Sequence, residues 1–142
     1  AGEVNTAMPY WVVEKTMEAL NDQGKSLKGA KILILGAAYK KNVDDMRESP
    51  TLKLIDILDN KGAKVDYNDP FIPIMPKVRK YQFDMKSVDL TPENIKKYDA
   101  ILISTDHDGY DYEMILEHAA LVIDTRNAAK DVTTYRHKIV KA

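Results

Sequence analysis

The 142-residue sequence contains no cysteine. A disulfide framework, a thiolate metal site and a cysteine nucleophile are therefore excluded within this chain. An excess of charge of one sign is also missing: 21 Lys and Arg oppose 22 Asp and Glu, a formal net charge of -1. No global field draws nucleic acid or an anionic membrane, so neither is expected as a partner and any anion site must be local. No apolar run approaches the ~18 residues of a membrane span, and no basic-then-apolar leader opens the chain. A cytoplasmic protein is the simplest expectation. The first residue is alanine rather than methionine, so the sequence reads as a piece excised from something longer. Repeats and low-complexity tracts are lacking too. With 44% apolar and 30% charged residues, the composition is that of an ordinary globular domain.

What is present is a repeating β-α pattern. Residues 8–22 read as a helix, with Pro9 in the first turn, Thr6 as a nearby cap and Gly24 as a stop. Its apolar residues include Met8, Trp11, Val12, Met17 and Leu20. Either this helix exposes Met8 and Trp11 because a partner domain is missing, or it packs on its own sheet. Strands are expected at 31–35, 64–67, 81–85, 99–104 and 121–123, and helices at 50–60, 92–97 and 112–118. Ser49-Pro50 supplies a cap followed by proline at the first helical position, and Thr91 caps the next helix. The three prolines of segment 70–80 mark a loop. Apolar runs such as Ile32-Leu33-Ile34-Leu35 and Ala100-Ile101-Leu102-Ile103 are continuous rather than alternating, as in strands buried on both faces of a parallel sheet. The expected fold is a Rossmann-like three-layer α/β/α domain with a parallel sheet of about five strands, in the common order 3-2-1-4-5 across the sheet.

All strands of a parallel sheet end at one edge, which gathers residues 39–47, 105–108 and 125–127. In open α/β sheets ligands bind there, at the point where strand order reverses. The cations Lys40, Lys41 and Arg126 at this edge suit a phosphate-bearing ligand. Each has a structural alternative: Lys40 and Lys41 as solvated loop lysines, Arg126 as a partner of Asp124 or a helix end. Arg47, just after Asp44 and Asp45, reads as a salt bridge bracing its loop. The adjacent pair Asp44 and Asp45 could bind Mg²⁺, but neighbouring carboxylates usually point apart and need further ligands. His107 stands between two aspartates, either as a proton shuttle or metal ligand or as a hydrogen-bonded loop histidine; on the second reading its replacement by alanine changes ligand binding little. Asp69 occupies the place where dinucleotide folds hold a ribose, or else makes a turn with Pro70. Gly36-Ala37-Ala38-Tyr39 lacks the second and third glycines that admit a pyrophosphate, which argues against NAD binding by this domain.

The run Lys31-Ile32-Leu33-Ile34-Leu35-Gly36-Ala37-Ala38-Tyr39-Lys40-Lys41, followed by Asp44-Asp45-Met46-Arg47-Glu48-Ser49-Pro50, resembles the C-terminal domain of the UDP-glucose/GDP-mannose dehydrogenase family. Further matches follow in order at Gly62-Ala63-Lys64-Val65, Asp66-Tyr67-Asn68-Asp69-Pro70, Thr105-Asp106-His107 and Val122-Ile123-Asp124-Thr125-Arg126-Asn127. Together they cover most of residues 29–130. The resemblance implies an enzyme that oxidises the C6 hydroxyl of a nucleotide sugar to a carboxylate with two NAD⁺, for polysaccharide or capsule precursor synthesis. It implies that Tyr39 and Lys40 contact the nucleotide diphosphate or sugar, that Arg126 is a second substrate contact, and that Asp45, Arg47 and Glu48 hold the loop's shape. Residues 1–28 would be the end of the central interdomain helix and a linker, and residues 29–142 the UDP-sugar binding domain. The catalytic cysteine and the NAD site would lie in an N-terminal part, with a central region mediating a homodimer. This fragment would then bind substrate but be catalytically inert alone, with no catalytic, cofactor or metal residues of its own. Tyr39 and the Asp66–Pro70 run look most like UDP-N-acetyl-hexosamine 6-dehydrogenases; UDP-N-acetylglucosamine, UDP-N-acetylmannosamine and UDP-glucose stay open. Two other classes compete. A receiver-like signalling domain would use Asp44 and Asp45 with Asp84 as phosphoacceptor and Thr105. An autonomous dinucleotide-binding domain would bind NADH directly.

Overall fold

A computed structural model describes residues 8–38, 42, 49–77, 81 and 83–142. The strand Lys31–Leu35 (β1) buries Ile32, Leu33, Ile34 and Leu35 completely, which requires a packed layer on each side of it. Four further strands join it: Lys64–Asn68 (β2), Ala100–Ile103 (β3), Val122–Asp124 (β4) and Ile139–Lys141 (β5). They form one sheet in the order β2-β1-β3-β4-β5, parallel throughout. One face is covered by the helices Met8–Asp22 (α1) and Pro50–Asn60 (α2). There Val12, Ala19 and Leu20 share a core with Leu54, Leu58, Ile32, Ile34 and Leu102. The other face is covered by Pro92–Ile95 (α3) and Tyr112–His118 (α4), whose Ile95, Ile115 and Leu116 meet Leu33, Leu35, Ile101 and Ile103. The alternation of residues along β1 thus feeds two separate cores, and the three-layer expectation holds. No described helix is long and apolar enough to cross a membrane.

The local signals that start the helices act as the residues dictate. Ser49 caps α2 by accepting from the Thr51 amide, with Pro50 in the first turn. Thr91 and Asp111 cap α3 and α4 through the Asn94 and Met114 amides. The helix α1 buries Val12, Val13, Thr16, Ala19 and Leu20 on its own sheet. Met8 is partly buried against the same core, whereas Trp11 is half exposed, with the Lys15 ammonium 4.6 Å from its ring.

One strand expectation is corrected, and one strand was not expected. The described residues of 81–85 form no strand. Tyr81, Phe83 and Met85 lay their side chains on the α1/α2 core, but the Met85 carbonyl accepts from Met75, so this stretch turns to its own preceding loop rather than to β2. β2 is met just beyond it: Ser87 forms a parallel bridge to Tyr67, the Val88 amide donates to the Tyr67 carbonyl, and Asn68 Nδ2 donates to the Val88 carbonyl. Asp84 therefore does not end a strand, and the receiver-like reading loses its phosphoacceptor. The fifth strand is instead β5, at the opposite edge. Its apolar content is only Ile139-Val140, half-buried, too little for the pattern to stand out.

At the amino-terminal end of the sheet Asp99 ties β1 to β3. Its carboxylate accepts from the Lys31 amide at 2.8 Å and pairs with Lys25 at 3.2 Å. Burial pushes this carboxyl up, but the Lys31 amide and the Lys25 ammonium outweigh it, and the net displacement is downward. At the other end Gly36 has φ +88°, and a Cβ built on it falls 2.5 Å from the Thr105 carbonyl oxygen and 2.7 Å from its nitrogen. Only glycine lets β1 exit so close to the end of β3. Hydroxyls seal the junction: Thr51 donates to the Gly36 carbonyl at 2.9 Å and lies 2.7 Å from the Ser104 hydroxyl, and Thr105 donates to the Ala38 carbonyl at 2.7 Å.

Gly36→Ala is expected to lower unfolding free energy by about 3 kcal/mol or more, since it combines a left-handed backbone with a clash against backbone; a urea midpoint close to the parent's would refute the close approach. Asp99→Asn should be destabilising at pH 7. A lowered folded pKa contributes stability above the unfolded value, near 4, and loses it as pH falls through the folded value. The difference in urea midpoint between parent and variant should therefore shrink from pH 7 to pH 3, and a constant difference would contradict the assignment.

Candidate functional site

The carboxyl edge of the sheet collects four loops, and one buried side chain organises three of them. Asp69, 1% exposed, follows β2. Its Oδ2 accepts from the Ala37 amide at 2.8 Å, the Ala38 amide at 3.0 Å and His107 Nε2 at 2.8 Å. Its Oδ1 accepts from the Phe71 amide at 2.8 Å, which closes the Asp69-Pro70-Phe71 turn that the sequence suggests. A carboxylate this enclosed has no capacity left for a ribose. The Ala37 and Ala38 amides, at the position where a dinucleotide fold presents its phosphate cradle, are already spent on Asp69. The two described amides after β1 are therefore not free to cradle a pyrophosphate, which weighs against the autonomous dinucleotide reading.

His107 is fully buried after β3. The Asn42 amide donates to its Nδ1 at 2.7 Å, so that nitrogen carries no proton; the proton sits on Nε2 and is donated to Asp69. Both ring nitrogens are thus engaged within the protein, and the hydrogen-bonded reading holds over the shuttle or ligand one. Aromatic rings enclose the imidazole, with Phe71 at 4.8 Å and Tyr110 at 5.7 Å between centroids. Tyr110 donates to the Asn68 carbonyl at 2.9 Å, and burial, then the charge of Asp69, push its hydroxyl above the usual tyrosine range. Tyr112 lies 6.0 Å from Tyr110, and its buried hydroxyl has no hydrogen-bond partner among the described residues. Burial, followed by Asp106, Asp124 and Asp108, pushes that hydroxyl up as well.

Asn42 is the described member of the long loop. It sits at φ +61° and exchanges two hydrogen bonds with Asp108: its Nδ2 donates to Asp108 Oδ2 at 2.7 Å, and the Asp108 amide donates to its Oδ1 at 3.1 Å. Asparagine tolerates this left-handed backbone better than most residues. Tyr39, Lys40, Asp45, Arg47 and Glu48, with Lys41 and Asp44, lie outside the described residues.

The loop after β4 is built on Asp124, 3% exposed, which accepts from the Arg126, Ala128 and Ala129 amides, each at 3.0 Å. The Arg126 guanidinium does not pair with Asp124. Its Nε donates to the Ser104 carbonyl at 2.9 Å, which carries the side chain across from β4 to the end of β3. Its terminal nitrogens make no hydrogen bond or ion pair among the described residues. Arg126 thus reaches the point where β1 and β3 diverge, as an exposed cation with one donor fixed.

An open groove of about 370 Å³ lined by Lys31, Lys64, Asp66 and Tyr98 lies by the first residues of β1 and β2. What marks the edge is buried polar chemistry. Sequence reading missed Asn42 as a participant and undervalued His107 and Asp69; their only local signals are the Asp-Pro turn and an asparagine in a loop.

The family model for the UDP binding domain of the UDP-glucose/GDP-mannose dehydrogenase family matches residues 33–131. A UDP-N-acetyl-D-mannosamine dehydrogenase of Methanococcus vannielii is 32% identical over 135 residues, covering 89% of this chain and 29% of that protein. A UDP-N-acetyl-D-glucosamine 6-dehydrogenase of Salmonella typhi is 27% identical over 104 residues, 73% of this chain and 24% of that protein. An NDP-N-acetyl-D-galactosaminuronic acid dehydrogenase structure from Methanosarcina mazei superimposes with a TM-score of 0.78 at 26% identity, covering 99% of this chain and 30% of that one. The chain spans less than a third of the length of these relatives. With the family model matching well over half of the sequence, this chain belongs to the UDP-glucose/GDP-mannose dehydrogenase family, of which it carries the UDP binding domain.

Proposed function

We propose that this chain is the substrate-binding C-terminal part of an NAD-dependent UDP-sugar 6-dehydrogenase, an oxidoreductase that converts the C6 hydroxyl to a carboxylate for polysaccharide precursors. The observation that carries the reading is Arg126, held across the divergence of β1 and β3 with its terminal donors uncommitted among the described residues, inside the stretch matched by the UDP binding domain. A guanidinium so placed suits a diphosphate. Tyr39 and Lys40 are proposed as the other substrate contacts, and Asp45, Arg47 and Glu48 as braces of their loop. Residues 1–28 are proposed as the end of the interdomain helix with its linker, and residues 29–142 as the binding domain. NAD and the nucleophilic cysteine belong, on this reading, to an N-terminal part, and the parent enzyme is a cytoplasmic homodimer. The names of the relatives support a UDP-N-acetyl-hexosamine as substrate, with UDP-N-acetyl-D-mannosamine the most frequent among them.

Binding alone is what this part contributes: it orients the nucleotide so that the reacting carbon is presented elsewhere. Isothermal titration of the 142-residue chain should show saturable UDP binding that weakens as salt rises. Lys40→Ala and Arg126→Ala should each weaken it by about tenfold, the worth of one charge-assisted contact. No heat at millimolar UDP from a folded chain, or an Arg126→Ala variant that binds like the parent, would count against the assignment.

A further inference from the structure

Two hydrogen-bond systems converge on the imidazole of His107, and they hold the chain on both sides of residues 39–41. On one side, Asp69 Oδ2 binds the Ala37 and Ala38 amides together with His107 Nε2. On the other, His107 Nδ1 receives the Asn42 amide, while the Asn42 side chain and Asp108 exchange a reciprocal pair. Ala38 and Asn42, four positions apart in sequence, are therefore tied to the same aspartate–histidine pair, contributed by the loops after β2 and β3. The pair is enclosed, with both side chains 0% exposed.

The two nitrogens of the ring are not interchangeable here. Asp69, an acceptor, demands a proton on Nε2; the Asn42 amide, a donor, demands none on Nδ1. A ring with its proton on Nδ1 would set N–H against N–H at Asn42 and leave a buried donor without an acceptor. Asp69 thus selects the tautomer, and the tautomer sets the backbone at Asn42. Asn42 itself rests in a left-handed conformation, which asparagine tolerates better than most residues.

We infer that His107 is a positioning residue of the substrate edge: through the single tautomer imposed by Asp69 it fixes the backbone of Asn42, the described residue that follows Tyr39 and Lys40 in sequence. It does not touch substrate. The inference deepens the UDP-sugar reading and rests on it for the role of Tyr39 and Lys40, but the coupling from Asp69 through His107 to Asn42 stands on its own bonds. It also replaces the expectation that alteration of His107 leaves ligand binding unaffected.

Two substitutions separate the two bonds. In His107→Asn an oxygen on Cγ keeps an acceptor near the position of Nδ1 but loses the distal donor. In His107→Gln a distal amide keeps a donor toward Asp69 but loses the acceptor. Both remove one bond and the same ring contacts, so a merely structural role predicts equal UDP affinity when both are folded. Positioning predicts that the asparagine variant binds UDP at least about fivefold more tightly than the glutamine variant in calorimetry, with comparable urea midpoints; equal affinities overturn it. Should the buried variants fail to fold, the exposed Asn42 decides. Asn42→Gly accepts the positive φ and should bind more tightly than Asn42→Ala, and equality again overturns the inference. Long-range ¹H–¹⁵N NMR of the parent chain gives a readout independent of UDP. A single neutral ring protonated at Nε2, with a slowly exchanging Asn42 amide, is expected. A ring protonated at Nδ1, or an unprotected Asn42 amide, overturns the coupling even if UDP binds. A parent chain with the expected NMR signature but no UDP binding sinks the functional reading and leaves the coupling supported.

Discussion

A buried carboxylate must be compensated by donors, and in this molecule the compensation of Asp69 organises three of the four loops at the carboxyl edge. Four N–H groups converge on its two oxygens, from the β1 exit, the turn after β2 and the loop after β3. Isolated, such a charge would be expelled or neutralised. Surrounded in this way, it joins three loops that are distant in sequence. The donors it consumes are the ones a dinucleotide domain would offer to phosphate, so the same interaction that stabilises the edge also changes what the edge can bind. Those amides, being occupied, are not available to an anion at the edge.

The close approach of β1 and β3 gives this arrangement its dimensions. Gly36 brings the end of β1 against Thr105, and the Thr51, Ser104 and Thr105 hydroxyls satisfy the polar groups trapped between them. A crevice between two diverging loops in an open α/β sheet is ordinarily where a ligand enters. Here the described residues at the ends of β1 and β3 are joined by protein hydrogen bonds, and Arg126 Nε reaches the Ser104 carbonyl from the loop after β4.

Much of this was legible in the residues. The continuous apolar runs at 31–35 and 100–103 announced buried parallel strands, and Ser49-Pro50 and Thr91-Pro92 announced helix starts, because these signals are local and strong. The fifth strand was not legible, since Ile139-Val140 is too short a run to stand out. Residues 81–85 misled because Tyr81, Phe83 and Met85 alternate for a core contact while the Met85 carbonyl accepts from the Met75 amide. At the site, Arg126 could be picked out because it follows a buried strand. His107 could be named but not weighed: its partners lie 38 and 65 positions away, and no local pattern encodes which nitrogen holds the proton. Asn42 gave no signal beyond its tolerance of positive φ.

The helix α1 has a mechanical consequence. Its Val12, Val13, Ala19 and Leu20 are seated in the same core as α2 and the sheet, and the Lys25 amide continues onto the Leu20 carbonyl. The helix is a lever welded to the domain rather than a tether. A torque exerted on its first turn is transmitted to the sheet as a rigid rotation instead of being absorbed between Gly24 and Gly29. If the domain swings relative to a polypeptide joined upstream, the pivot lies ahead of the buried stretch of α1, and the edge carrying Asp69, His107 and Arg126 travels with it.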